Sequence, residues 1–274
     1  MVSVTQRIAE VKQPRGGYIN PRAMKGRYIT RDNPAPIRTG SLVLYPVIEP
    51  EPLDHKVENV QPRLVGSAVD YLARLANGAE PSDAFAISLE GAALLGGSIL
   101  SSAEADVQSL TSGKADAAAI AVACKLAGYD VAYRAGQMFY NPDANTTPDE
   151  ITVQHIATMV ERSLAFFQEY GPVTLEGFTL EGAYTDTVNA GDGDFLTADT
   201  LWDFKVSVRP PTSAHTLQLL MYCIMGKRSI YPQFQTITHL GICNPRLEAV
   251  YRIDLASVPA KVIDEVSREV IGYR

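Results

Sequence analysis

Asp194, Asp203 and Lys205 lie close together in the stretch 191–205, which opens Gly191-Asp192-Gly193-Asp194 and ends Trp202-Asp203-Phe204-Lys205. Two carboxylates converging beside an ammonium offer oxygen ligands to a hard cation, Mg²⁺ or Mn²⁺, whose remaining positions are filled by water and substrate phosphate oxygens. A cation so held lowers the pKa of a bound water and neutralises charge developing on phosphorus. A neighbouring lysine orients or helps deprotonate that water and offsets charge in the transition state. The chemistry these residues suit is therefore phosphodiester hydrolysis. An Asp-x-Lys triplet alone means little, because exposed strands produce it by chance. Its weight comes from the Gly-Asp-Gly-Asp run ahead of it and from Gln218 and Tyr222, one helical turn apart, behind it.

Positioning these groups requires a hairpin and a helix. Residues 194–196 and 201–208 read as two strands turned at Ala198-Asp199-Thr200. Side chains alternate faces along a strand, so Asp203 and Lys205 share one face while Trp202 and Phe204 occupy the other. The tight turn returns Asp194 to the neighbourhood of Asp203. Pro210-Pro211 ends the sheet segment, and Thr212 or Ser213 caps a helix through Gly226 with an apolar face of Leu217, Leu220, Met221 and Ile224. A strand pair at 236–243 and 248–255 and a last helix at 258–271 complete the chain, while 173–175 and 178–180 suggest β structure ahead of the hairpin.

The first half reads as helical. Val65, Val69, Leu72 and Leu75 recur at helical spacing before Gly78. Ala-rich helical segments follow at 82–101 and 113–128, then a polar loop at 141–148 and a helix over 150–170. Residues 1–60, rich in Pro, Gly and Arg, read as an extended N-terminal arm with at most one short strand, at 41–48. The expected organisation is this arm, a helical part at 61–170 that contains the first core helix, and a sheet with its C-terminal helix at 171–274. Residues 61–274 are expected to form one compact α/β (α+β) domain.

This combination of motifs resembles the PD-(D/E)XK nuclease superfamily in its RecB-like branch. In that branch a glycine-led strand supplies the first acid, matched by Asp194. The next strand supplies the (D/E)-x-K element, matched by Asp203 and Lys205, and the following helix a Q-x-x-x-Y motif, matched by Gln218 and Tyr222. An earlier family helix carries G-x-x-x-(His/acid). Residues 63–72 resemble it, with Asp70 where many members have His, so the resemblance implies Asp70 as a further metal ligand beside Asp194 and Asp203. Segments 129–136 and 239–246 are also similar to parts of prokaryotic proteins with this core, and the matches touch about half of the chain. The fold implied is a mixed sheet flanked by helices, α-β-β-β-α-β at its centre, here with a helical insertion. The function implied is Mg²⁺- or Mn²⁺-dependent hydrolysis of DNA, ahead of RNA, in DNA processing or phage defence. The alternative is a catalytically silent or partner-activated nucleic-acid-binding or assembly subunit with the same fold, acting with a protein partner or as a homo-oligomer.

Charge motivates that alternative. The net charge of −7 divides into +6 over residues 1–48, −16 over 49–199 and +3 over 200–274. The acidic middle repels phosphate, which supplies most nonspecific affinity for DNA. The basic ends offer a local footprint, and under the family topology Arg209, Lys227, Arg228 and Arg246 line a rim of the cleft. Other candidates carry blander readings. Asp192 fits a Gly-flanked turn, and Glu176 and Glu181 fit solvent-facing strand positions. His215 fits an exposed helix start, and His55, His155 and His239 show no ligand spacing. The run 186–194 lacks the bidentate Glu of a calcium loop. Neither a G-x-S-x-G elbow nor a G-x-x-x-x-G-K-[ST] phosphate loop occurs. Cys124, Cys223 and Cys243 are far apart and form no disulfide or zinc framework, which with a polar, signal-free start predicts a reducing cytoplasmic setting. No apolar run is long enough for a membrane span.

Overall fold

The structure, a computed structural model, describes residues 2–29, 37–38 and 53–274. The strand expected at 41–48 lies outside the described residues. The N-terminal segment opens with α1 (Val4–Glu10), where the Ser3 hydroxyl accepts the Gln6 N–H and the Gln6 side chain accepts the Ser3 N–H, a reciprocal cap. Strands β1 (Lys25–Tyr28) and β2 (Ile37–Arg38) follow. The helical region comprises α2 (Pro62–Ala76), α3 (Pro81–Ala84), α4 (Ala86–Leu95), α5 (Gly97–Gln108), α6 (Ala117–Ala127), α7 (Asp130–Arg134) and α8 (Glu150–Tyr170). After it come β3 (Leu175–Glu176), β4 (Phe195–Leu196), β5 (Thr200–Phe204), α9 (Ser213–Gly226), β6 (His239–Asn244), β7 (Ala249–Asp254) and α10 (Ala260–Glu265), which continues as a π-helical turn to Ile271.

The strands form one seven-stranded sheet in the order β2-β1-β7-β6-β5-β4-β3. Every neighbouring pair is antiparallel except β5 and β6, which are parallel. Parallel neighbours need a crossover, and α9 is that crossover. The architecture is thus an α/β mixed sheet flanked by helices, in agreement with the general class expected.

Alternation along β4 and β5 divides the core. Leu196 and Leu201 point into a cluster with Leu217, Leu220 and Met221 of α9, Val4 and Ile8 of α1, and Val266 and Val270 near the C-terminus. Phe195 and Trp202 point the other way, onto Phe166 and Phe167 of α8 and Ala73 of α2. The Trp202 ring meets Phe166 edge-on at 4.8 Å, and its indole N–H donates to Thr197 Oγ1 at 3.0 Å. A third cluster, built from α2, α6 and α8, holds the helical lobe together.

Several expectations are corrected. The N-terminal stretch is not an extended arm: α1 packs on α9, and β1 pairs with β7 inside the sheet. The segment 82–101 is divided at Phe85 and Gly96, the latter at φ 128, a conformation glycine adopts without steric cost. The β5 strand ends at Phe204 rather than at 208, though the Lys205 N–H still donates to Cys243 O at 2.9 Å. The apolar stripe expected on α9 is instead burial on nearly every side, because the helix is sandwiched between the sheet and the terminal helices. No helix among the described residues is long and apolar enough to cross a membrane.

Gly193, just ahead of Asp194, is required by packing. A Cβ there would lie 2.1 Å from Phe178 Cζ. Gly193→Ala must displace a fully buried aromatic ring and should destabilise the fold by about 1–3 kcal/mol, read as a fall in Tm with unchanged circular dichroism at low temperature.

Candidate active site

The register of β4 and β5 sets the centre. Phe195 is aligned with Trp202, so the next positions, Asp194 and Asp203, stand opposite each other and share a face. Like charges placed this way repel, and both carboxylates are substantially withdrawn from water. Asp203 is 3% exposed. Its Oδ1 accepts from Lys205 Nζ at 2.9 Å, while its Oδ2 is buried and has no hydrogen-bond partner among the described residues. Asp194 Oδ2 accepts the Phe204 backbone N–H at 2.5 Å, which ties the first acid to the strand bearing the second.

The electrostatics follow from this geometry. Burial raises the Asp194 pKa to about 8, with the Asp203 and Asp70 charges adding to it and the Lys205 ammonium and Phe204 N–H opposing. Burial likewise raises Asp70 to about 6, opposed by Arg74 and Arg134 and reinforced by Glu176. Burial works against the Lys205 ammonium, yet Asp203 and Asp194 outweigh it and hold its pKa above the ordinary lysine value. Lys205 is therefore a fixed cation at neutral pH.

Helix α9 presents its N-terminal half to this centre. Gln218 Nε2 donates to Tyr222 Oη at 3.0 Å, one turn away. Burial raises the Tyr222 phenol, with Gln218 opposing and Asp203, Asp192 and Asp194 adding to the shift. His215, expected to be exposed, is half-buried, and its Nδ1 accepts the Thr212 N–H at 3.3 Å. Burial and then the Lys205 ammonium lower its pKa, which sets it near the lysine.

Asp194, Asp203, Lys205, Gln218 and Tyr222 are thus brought together, and Asp70 feels the same charges from α2. Among the described residues, however, no three His, Cys, Asp or Glu side chains are grouped so as to hold a metal ion between them. The shell of Asp70, Asp194 and Asp203 is not closed as expected. What fits a hard cation is the opposed pair Asp194 and Asp203, with its buried, unpartnered oxygen. Mg²⁺ commonly takes one or two carboxylates and completes its shell with water and phosphate oxygens.

Asp192 is not a simple turn residue, since it bridges Thr179 as in a strand and its exposed carboxylate lies 3.8 Å from Arg134 Nη1. Glu176, read as solvent-facing, is exposed but anchored by Arg74 Nε at 2.5 Å. Sequence reasoning missed the supporting acid Asp130, whose oxygens accept from Tyr71 Oη at 2.6 Å and Ser88 Oγ at 2.8 Å. It missed Arg74 and Arg134 as well. The available signals were the helical i,i+4 pairs Asp70/Arg74 and Asp130/Arg134.

The expected cationic rim is largely corrected. Arg209 is exposed in the loop just after Lys205. Lys227 and Arg228 follow the far end of α9 and line a different cavity. Arg246 is buried and makes a two-pronged bond to Glu58, at 2.6 and 2.9 Å. Arg246→Ala would leave the buried Glu58 carboxylate with the His155 ring, 2.9 Å away, in place of its two-pronged partner, and should destabilise the fold by about 2–4 kcal/mol, measured by chemical denaturation.

Comparison of the chain with protein-family models, with curated proteins and with solved structures finds no match.

Proposed function

We propose that this protein is a metal-dependent nuclease that hydrolyses DNA phosphodiester bonds on the PD-(D/E)XK plan. The observation that carries the reading is Asp203: a buried carboxylate opposite Asp194, with one oxygen on Lys205 Nζ and the other unpartnered among the described residues. A buried, unpartnered carboxylate oxygen beside a second carboxylate is costly unless a cation or a retained proton on the pair offsets it. The succession α2, β3, β4, β5, α9, β6, with β5 and β6 parallel across α9, supports the same plan.

Asp194 and Asp203 would hold Mg²⁺ or Mn²⁺, which when bound supplies Lewis-acid polarisation of the phosphate and an acidified water. Lys205 acts as a cation rather than a base, because its neighbours keep it protonated. Held by Asp203 Oδ1, its ammonium donates to the water or to a phosphate oxygen and offsets negative charge there. The Gln218–Tyr222 pair, joined at 3.0 Å on α9, would support the lysine or the substrate backbone. The preference for DNA rests on the family resemblance.

The test is cleavage of labelled DNA with Mg²⁺ or Mn²⁺. The wild type should cut, EDTA should stop it, and Asp203→Ala should lose at least about 10³-fold in rate. Equal cleavage by both proteins rejects the site. Absence of cleavage together with absence of Mn²⁺ binding favours the partner-activated subunit, the reading that the acidic stretch 49–199 motivates.

A further inference from the structure

A second chemically distinctive place lies on the other face of the sheet. Arg252 is aligned with Gly241, and Gly241 with Trp202, so Arg252 shares the Trp202 face and not that of Asp203. On this face Lys25 stands directly opposite Arg252, and Arg27 lies two residues further along β1. Cations set opposite each other across two strands are destabilising. Acids offset two of them. Arg252 Nη2 reaches Asp199 Oδ2 at 2.6 Å and Thr200 Oγ1 at 2.7 Å. Arg27 pairs with Glu169 and lies 5.4 Å over the Tyr170 ring. Lys25 is exposed and has no ion pair among the described residues. Lys25, Arg27 and Arg252 line a cavity of about 830 Å³ together with Tyr18, Tyr170, His239 and one acid, Asp254.

That volume lies within the range of small-molecule sites, roughly 300–1,000 Å³, and suits one small ligand rather than a strand. Tyr18, half-buried, offers aromatic surface, while Tyr170 is held between Phe166, on which it stacks at 5.0 Å, and the Arg27 guanidinium over its ring. The cations offer charge-assisted hydrogen bonds to phosphate oxygens. We infer that this cavity binds a nucleotide, its base against Tyr18 and its phosphates at Lys25, Arg27 and Arg252. The site is separate from Asp203 by face, so it stands or falls independently of the proposed hydrolysis.

The experiment titrates the full chain with AMP and ATP, in EDTA so that no divalent ion contributes, with adenosine and pyrophosphate as controls. Calorimetry should give a Kd in the micromolar range for at least one nucleotide, and Lys25→Glu should weaken it at least about tenfold. Lys25 is exposed, holds no ion pair among the described residues and faces Arg252, so the variant should fold with a Tm no lower than that of the wild type. Arg27→Ala, also half-exposed, should weaken binding in the same direction. Lack of binding by either nucleotide overturns the assignment, and so does equal binding by wild type and Lys25→Glu. Pyrophosphate binding as tightly as the nucleotides overturns the ring contact and with it the nucleotide.

Discussion

Lys205→Ala should lower divalent-dependent cleavage by about 10²–10⁴-fold while leaving Mn²⁺ affinity undiminished. The lysine holds Asp203 Oδ1 at 2.9 Å, so its ammonium competes with a bound cation for the same carboxylate. Removing it takes positive charge away from the cation's neighbourhood, which favours cation binding even as the donor to water and phosphate is lost. The metal-free variant should also be less stable. Without the ammonium, Asp203 and Asp194 face each other with the Phe204 N–H left as a donor to the pair, and breaking a buried ion pair costs about 3–5 kcal/mol. Mn²⁺ should restore much of that loss, since a ligand that binds only the folded state stabilises it by mass action. Calorimetric titration and thermal unfolding with and without Mn²⁺ separate these effects. Parallel loss of cleavage and of metal affinity would contradict the role given to Lys205.

The metal-free protein should lose stability as pH rises from mildly acidic to mildly basic. The Asp194 pKa is raised in the folded state, from 3.8 to about 8. The folded chain therefore binds this proton more tightly than the unfolded chain does. The resulting stabilisation is complete below 3.8 and is lost as pH climbs through the folded value of about 8. Asp70, raised to about 6, contributes a fall of the same sign over a lower window. The total is on the order of a few kcal/mol. Asp194→Asn carries no charge at any pH and should flatten this part of the curve, raising Tm most at pH 8. Added Mn²⁺ should stabilise the wild type most at the same end, where the carboxylate is deprotonated and able to bind it. Thermal unfolding in EDTA across this range tests the prediction. A Tm that rises through the window, or a slope unchanged by Asp194→Asn, would contradict the geometry of the pair.

Much of this centre was legible because its determinants are local. Alternation alone put Asp203 and Lys205 on one face, and the short turn before Thr200 brought Asp194 opposite. Helix α8 runs over the residues expected of it after the polar loop, 150–170, with Asp149 accepting the Thr152 N–H as its cap. What escaped depends on partners distant in the chain. Lys25–Tyr28 has no alternating apolar pattern of its own and becomes a strand by pairing with β2 and along its whole length with β7, more than two hundred residues later. Arg246 looks like a terminal surface charge until Glu58 is set against it across the fold. Asp130 is unremarked in sequence because Tyr71 and Ser88, which satisfy it, come from two other helices. The reach of β5 was overestimated for a related reason. Val206 and Val208 continue the apolar pattern, but the ladder between β5 and β6 ends with Phe204 and Cys243.

Whether Asp194 and Asp203 hold a divalent cation beside Lys205 is tested most directly by anomalous scattering from crystals grown with Mn²⁺. One peak is expected between the two carboxylates, about 2.0–2.4 Å from Asp203 Oδ2, with Lys205 still beside Oδ1. An empty position there at saturating Mn²⁺, or a peak held by other residues, would contradict the proposed site.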